Sequence, residues 1–297
     1  VFLQQVLNGI TQGGTYALVA LGYTLIFGVL EIINMAHGEV FMIGAMTGYA
    51  LITKLGWGLV PGLLGGMAGS ALVGALLEFT ALRALRRKGV TNLAPLISTI
   101  GLAMVLQNVM VRGVGGEPLS FRVPLGDGVI RLGPLQVTTA QLVVLGVSLA
   151  LMVALQWTLS RTSLGRAVRA VSENPETASL LGVNVAGIVL ATVMLASALG
   201  GAAGVLVGIS YVSVSAVMGL SYGLKGLAVI ILGGLGNVKG AVAGGLIIGV
   251  LEALTVAYGG PLGAGYKDAV AFGFLFLILV LRPQGLFGLS AAATRRS

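Results

Sequence analysis

Apolar runs long enough to cross a bilayer follow one another along almost the whole chain. A hydrocarbon core needs about 20 mainly apolar residues per helix. Nine stretches meet or approach that length: 5–27, 37–53, 58–80, 93–112, 139–159, 186–209, 217–234, 241–258 and 267–282. Charged residues make up only 9% of the 297 positions, against roughly a quarter in a soluble domain. A chain so poor in charge cannot coat itself for water. In lipid every backbone polar group must be satisfied internally, and helices do this within one segment. The implied fold class is all-α, a polytopic integral membrane protein of about eight or nine transmembrane helices forming a single domain over 1–297. The second and seventh stretches are short and bounded by polar, Gly-containing turns, so either reads equally as a broken or re-entrant helix.

The 48 glycines fit the same setting. Glycine weakens helices in water, but in lipid small residues let helix backbones approach closely. Collagen would need glycine at every third position, which is absent. With no cysteine, disulfides and thiolate metal sites are excluded. The opening Val1-Phe2-Leu3-Gln4-Gln5 lacks a basic leader region and reads as the start of the first span, with an initiator residue missing.

The net charge of +8 does not form the basic stripe of a nucleic-acid-binding domain. Basic residues instead mark one side of the membrane, since Lys and Arg are retained in the cytoplasm. Arg83, Arg86, Arg87 and Lys88 form one cluster and Arg161, Arg166 and Arg169 another. Lys239, Arg282, Arg295 and Arg296 share that side if the spans alternate. This arrangement predicts an external N-terminus and a cytoplasmic C-terminus.

Two loops have enough length for shape. In the external loop, 113–138, Phe121 to Leu125 and Val129 to Leu132 flank Gly126-Asp127-Gly128, which predicts a small β-hairpin. That loop is either a solvated connector or a docking surface. In the cytoplasmic loop, 160–184, residues 163–171 read as a short helix with Arg166 and Arg169 on one face. Asn174-Pro175-Glu176 then supplies a cap, a first-turn proline and a dipole-complementing acid. A second short helix runs to Leu181, and Gly182 ends it in the left-handed conformation. A mere linker needs no such punctuation.

Chemistry is sparse. Gly233 to Gly240 resembles a phosphate-cradling loop, but the Gly-Lys-Ser/Thr ending of a P-loop is missing. The single histidine and the lack of a Gly-x-Ser-x-Gly elbow argue against zinc or serine chemistry, so the chain is not expected to be an enzyme. The polar groups at membrane depth are Glu31, Asn34, His37, Glu39, Glu78, Gln107, Asn108, Lys225, Glu252 and Asp268. Ionisable groups there are costly and face a cavity or a partner. Asn34 to Glu39 is the densest cluster, either a broken helix facing substrate or an interfacial turn. Lys225 either snorkels outward or pairs with an acid of a neighbouring helix. Asn34, His37, Glu39 and Lys225 are therefore the candidate substrate path. A weak internal echo links 12–50 with 217–255, each holding two apolar segments around a polar turn.

Four stretches carry a family resemblance. The first is Leu3-Gln4-Gln5 with Leu7-Asn8-Gly9, Thr15-Tyr16-Ala17-Leu18 and Gly22-Tyr23-Thr24. The second is Ile33-Asn34-Met35-Ala36-His37-Gly38-Glu39-Val40 with Met42-Ile43-Gly44. The third is Gly165-Arg166-Ala167-Val168-Arg169-Ala170 followed by Ala178-Ser179-Leu180-Leu181-Gly182-Val183-Asn184. The fourth is Leu232-Gly233-Gly234-Leu235-Gly236 with Gly240-Ala241 and Gly244-Gly245-Leu246-Ile247. In this order they resemble the permease subunit of bacterial branched-chain amino acid ABC transporters, the H-type subunit of the Liv system. The resemblance implies an ATP-driven importer in the bacterial inner membrane. Its other parts would be an M-type permease, two cytoplasmic ATPases that use ATP and Mg, and an extracytoplasmic substrate-binding protein, with no cofactor held by this chain. It also implies that Gly165, Arg166, Ala167, Arg169, Ala170, Leu181 and Gly182 belong to the element coupled to the ATPases. The competing reading is a stand-alone secondary transporter or channel.

Overall fold

In lipid there is no hydrophobic force between helices, so close packing must hold them; small residues therefore line the contacts of this fold. The computed structural model describes residues 2–83, 85, 93–124, 128–132, 135–260 and 263–288. In chain order the helices are α1 (Phe2–Leu30), α2 (His37–Tyr49) with a π-helical extension (Ala50–Lys54), α3 (Leu59–Leu77) with a second such extension (Glu78–Leu82), and α4 (Leu93–Val114). There follow α5 (Thr139–Arg161), α6 (Ser163–Glu173), α7 (Pro175–Leu180), α8 (Val185–Tyr211), α9 (Met218–Gly233), α10 (Val238–Tyr258) and α11 (Gly263–Leu281). All nine expected segments are helical. Among the described residues, seven are long and apolar enough to cross a membrane, and α9 is a shorter eighth of 16 residues. The expected count of eight or nine thus settles at seven or eight, because α2 lies almost wholly inside the protein and α9 spans only about 24 Å at 1.5 Å per residue.

Two glycine seams build the core. Along α1 and α10, Gly9 and Gly13 face Gly249 and Gly245. Along α3 and α8, Gly66, Ser70 and Gly74 face Gly201 and Ser197. By contrast α4, α5 and α11 leave most of their surface exposed, as lipid-facing helices do.

The fold contains an inverted repeat. In α1–α2–α3 and in α8–α9–α10 a long helix ends, breaks, and restarts as a short one. Glu31 and Val212 follow the long helices, and both have φ of 52°; among the described residues they are the only non-glycines with positive φ. Asn34 Oδ1 then accepts from the Ala36 N–H at 3.1 Å, and Ser215 Oγ accepts from the Val217 N–H at 3.3 Å. The His37 N–H donates to the Asn34 carbonyl and the Met218 N–H to the Ser215 carbonyl. Each of these counterparts lies 181 positions after its mate. The rings of Phe41 and Tyr222, another such pair, stack at 4.9 Å. The end of α8 meets the start of α1, since Asn8, Ser210 and Tyr211 line one pocket, so the two units run in opposite directions. The expected echo of 12–50 with 217–255 is corrected accordingly: α1–α2 matches α8–α9, not α9–α10.

Strands are confined to one end of the molecule. β1 (Leu119–Ser120) pairs antiparallel with β4 (Ser213–Val214), and β2 (Val129–Leu132) with β3 (Leu135–Thr138). The expected hairpin exists one strand later than its sequence suggests, since Val129–Leu132 pairs forward rather than back. Phe121 explains the difference: its ring is buried against Gly208 and Tyr49, and Pro124 has no N–H to give a ladder. Gly126 and Asp127 lie outside the described residues, as do Arg86, Arg87, Lys88, Arg295 and Arg296 of the basic clusters.

Candidate functional site

The breaks between the helices place polar groups at membrane depth. After Leu30 the chain turns back, and α2 starts beside the middle of the molecule rather than at its edge. The His37 ring is fully buried there, wedged against Gly22 and Gly200 and edge-on to Tyr23 with centroids 4.6 Å apart. Neither ring nitrogen makes a hydrogen bond of ordinary geometry, although the Val19 backbone lies beside the ring. Two residues on, Glu39 points away from His37 and lays its carboxylate against Gly219, in the first turn of α9. Gly38 meets Gly219 and Gly223, so the first turns of α2 and α9 touch. Only glycine permits this approach; a methyl on Gly38 would lie 2.9 Å from the Gly223 Cα.

Beside this contact is a cavity of about 210 Å³ between α1, α2, α4 and α9. Tyr23, Glu39 and Gln107 give it polar edges, and Met35, Ile100, Met104 and Leu220 give it apolar walls.

Lys225 belongs to a different cluster. It lies on α9 but faces α10 and α11, where its Nζ is 2.8 Å from Glu252 Oε1 and 2.8 Å from Asp268 Oδ1. The Tyr16 hydroxyl donates to Glu252 Oε2 at 2.6 Å and accepts from Lys225 Nζ at 3.2 Å. Gln12 Nε2 adds a donor to Glu252 at 2.9 Å. Of the two alternatives the sequence leaves open for Lys225, pairing is the one realised. The structure therefore keeps Asn34, His37 and Glu39 at the first break, with Glu39 turned to the cavity and His37 away from it, and gives Lys225 to a separate cluster. Sequence reasoning missed Tyr16 and Tyr23 as members of these sites. Their spacing of seven, two helical turns on one face, was the available signal.

At the opposite end from the strands, α6 and α7 form a knob. Thr162 caps α6 through the Gly165 N–H at 3.2 Å. Asn174 caps α7 through the Thr177 N–H at 2.9 Å, with Pro175 in the first turn. Gly182 has φ of 84°. Gly165 packs on the carbonyls that end α5, where no side chain fits. The Arg169 guanidinium donates to the Leu159 carbonyl. Val168 and Val171 face inward, while Leu180 and Leu181 stand 88% and 78% exposed. Arg169, Lys239 and Gly288 line one open groove with Gly28 and Val29, so the end of α1, the knob, the α9–α10 turn and the segment after α11 share one end.

An all-α bundle with an inverted repeat, broken helices meeting at mid-depth and a capped knob at one end defines a multi-pass membrane transport protein. Residues 5–280 match the family model described as branched-chain amino acid transport system / permease component, and the chain belongs to that family. It is 37% identical to the high-affinity branched-chain amino acid transport system permease protein LivH of Escherichia coli K12, over 97% of this chain and 96% of that one. The same identity and coverage hold for BraD, the corresponding permease protein of Pseudomonas aeruginosa. A probable LivH of Methanocaldococcus jannaschii is 27% identical over 99% of this chain and 95% of its own. No solved structure matches the chain. Its role is that of a permease component of a transport system, not of an enzyme.

Proposed function

We propose that the chain is the membrane-spanning permease subunit of an ATP-driven importer for Leu, Ile and Val or close analogues. The observation that carries this reading is similarity over nearly the full length to permeases named for branched-chain amino acid transport. Its companions are a second, M-type permease, two cytoplasmic ATPases that consume ATP with Mg, and an extracytoplasmic binding protein that delivers substrate. The end bearing the strands faces outward, and the knob faces the cytoplasm. Gly165, Arg166, Ala167, Arg169, Ala170, Leu181 and Gly182 form the coupling element. The capped geometry of the knob supports this role: a rigid body with Leu180 and Leu181 uncovered transmits a push, where a loose loop would absorb it.

The test is reconstitution of the full transporter in proteoliposomes. Leucine uptake is expected to require ATP on the knob side together with the binding protein. The Arg166→Glu/Arg169→Glu variant is expected to insert and to hydrolyse ATP with little uptake. Uptake driven by an ion gradient without ATPases would establish the stand-alone transporter instead, and normal uptake by the double variant would remove the coupling assignment.

A further inference from the structure

Glu39 is a buried acid that the protein itself leaves incomplete. The residue is only 4% exposed, and its buried Oε2 has no hydrogen-bond partner. No described basic side chain pairs with it, for Lys225 is held by Glu252 and Asp268. An unpaired charge away from water is expensive. Two helix starts offset part of that cost. Glu39 sits in the first turn of α2 and rests against Gly219 in the first turn of α9, and each helix presents its positive end there. Those dipoles favour the carboxylate but do not fill its hydrogen-bonding sites, of which a carboxylate has about four.

The cavity beside it defines what can fill them. A divalent metal ion needs several oxygen ligands, and no group of three His, Cys, Asp or Glu side chains occurs among the described residues. The lining otherwise includes Met35 and the outward-reaching Ile100, Met104 and Leu220, which are exposed on their far sides and suit hydrocarbon. A primary ammonium brings three N–H donors. A ligand with an ammonium at one end and an aliphatic chain at the other matches both parts.

We infer that this cavity is a substrate subsite in which Glu39 receives the α-ammonium group of the transported amino acid while the aliphatic side chain lies against Met35, Ile100, Met104 and Leu220. The inference rests on the permease reading above and adds the place and polarity of binding. His37 is not part of the subsite, being sealed behind Gly22 and Gly200; it holds the break in shape.

The experiment uses the complete reconstituted transporter with labelled leucine as the probe. Glu39→Gln is expected to lower the initial uptake rate by at least about tenfold, as loss of a buried charge partner does, while the partner subunits still co-purify. Glu39→Asp, which keeps the charge, is expected to retain clearly more uptake than Glu39→Gln. Uptake by Glu39→Gln within about twofold of the unaltered complex, or equal loss in both variants, would overturn the subsite. Should Glu39→Gln fail to assemble, Ala103→Leu decides by narrowing the cavity from the α4 side. It should shift the valine-to-leucine uptake ratio at least about threefold toward valine, and an unchanged ratio would refute the subsite while leaving the permease reading intact. If the unaltered complex shows no ATP-dependent leucine uptake, the permease reading falls and takes this inference with it.

Discussion

Lys225 carries its charge into the bundle because two acids and a phenol meet it there. Its side chain is 8% exposed and that of Glu252 is 1% exposed, so neither could remain ionised alone at tolerable cost. The Tyr16 hydroxyl stands between them as donor to one and acceptor from the other. Asp268 contributes less, since its side chain is half exposed and solvent weakens such a pair. Lys225→Met should therefore strand Glu252 and lower the stability of the purified protein by about 3–5 kcal/mol, read as a fall in its unfolding temperature in detergent. Lys225→Met/Glu252→Leu should recover much of the loss, because removing both charges leaves nothing stranded. A single variant that unfolds with the unaltered protein would show that the cluster has no structural weight. At this scale the sequence was half legible. Lys225, Glu252 and Asp268 each stood out as charges at membrane depth, but nothing local tells which of them meet across helices 27 and 43 residues apart in sequence. His37 and Glu39 were visible as a cluster for the same reason, and their divergence followed from their spacing of two on a helix.

Helices announce themselves well in such a chain, because lipid forces twenty-residue apolar runs and leaves charge only between them. Caps are equally legible, being local: the expected ends at Asn174, Pro175 and Gly182 are the observed ones. Pairing is not local, and there the reading slipped. The hairpin moved by one strand because a buried Phe121 outweighed the Gly126-Asp127-Gly128 signal, and the repeat was matched to the wrong helices because its signature lies in backbone turns, not in hydropathy. Contacts between helices follow glycine, and this yields a test. A methyl on Gly249 would stand 2.5 Å from the Gly13 Cα, so α1 and α10 would have to separate. Gly249→Ala should destabilise by about 1–3 kcal/mol as overpacking does. Gly101 on α4 meets nothing within 4 Å, and Gly101→Ala should leave the unfolding temperature unchanged or raise it. Equal behaviour of the two variants in thermal unfolding would mean that the seam does not govern assembly of the core.

The inverted repeat gives the whole molecule two unlike ends. Unit α1–α2–α3 and unit α8–α9–α10 run antiparallel, which brings the starts of α2 and α9 together inside the bundle, with Gly38 on Gly219. A site at that meeting point can open toward either side when one unit tilts against the other, which is how inverted repeats support alternating access. The ends are fixed by contacts that join distant parts of the chain. The Gln4 side chain bonds the backbone of Gln136, and Gln141 bonds Asn8, so the start of α1 lies with the strands. The Leu286 and Phe287 N–H groups bond the carbonyls of Leu232 and Gly233, so the tail of α11 lies with the α9–α10 turn and the knob. Arg161, Arg166, Arg169, Lys239 and Arg282 lie at the knob end, and the retention of Lys and Arg in the cytoplasm supports the proposal that this end faces the cell interior. Because the chain has no cysteine, single cysteines report sidedness without a background. Val129→Cys on β2 should react in intact cells with a maleimide that cannot cross the membrane. Leu180→Cys in the knob and Arg282→Cys after α11, both at exposed positions, should react only once the membrane is permeabilised. Two knob-end positions guard against shielding of one by an attached subunit. Labelling of Leu180→Cys and Arg282→Cys in intact cells, with Val129→Cys protected, would invert the molecule and remove the proposed coupling role of the knob.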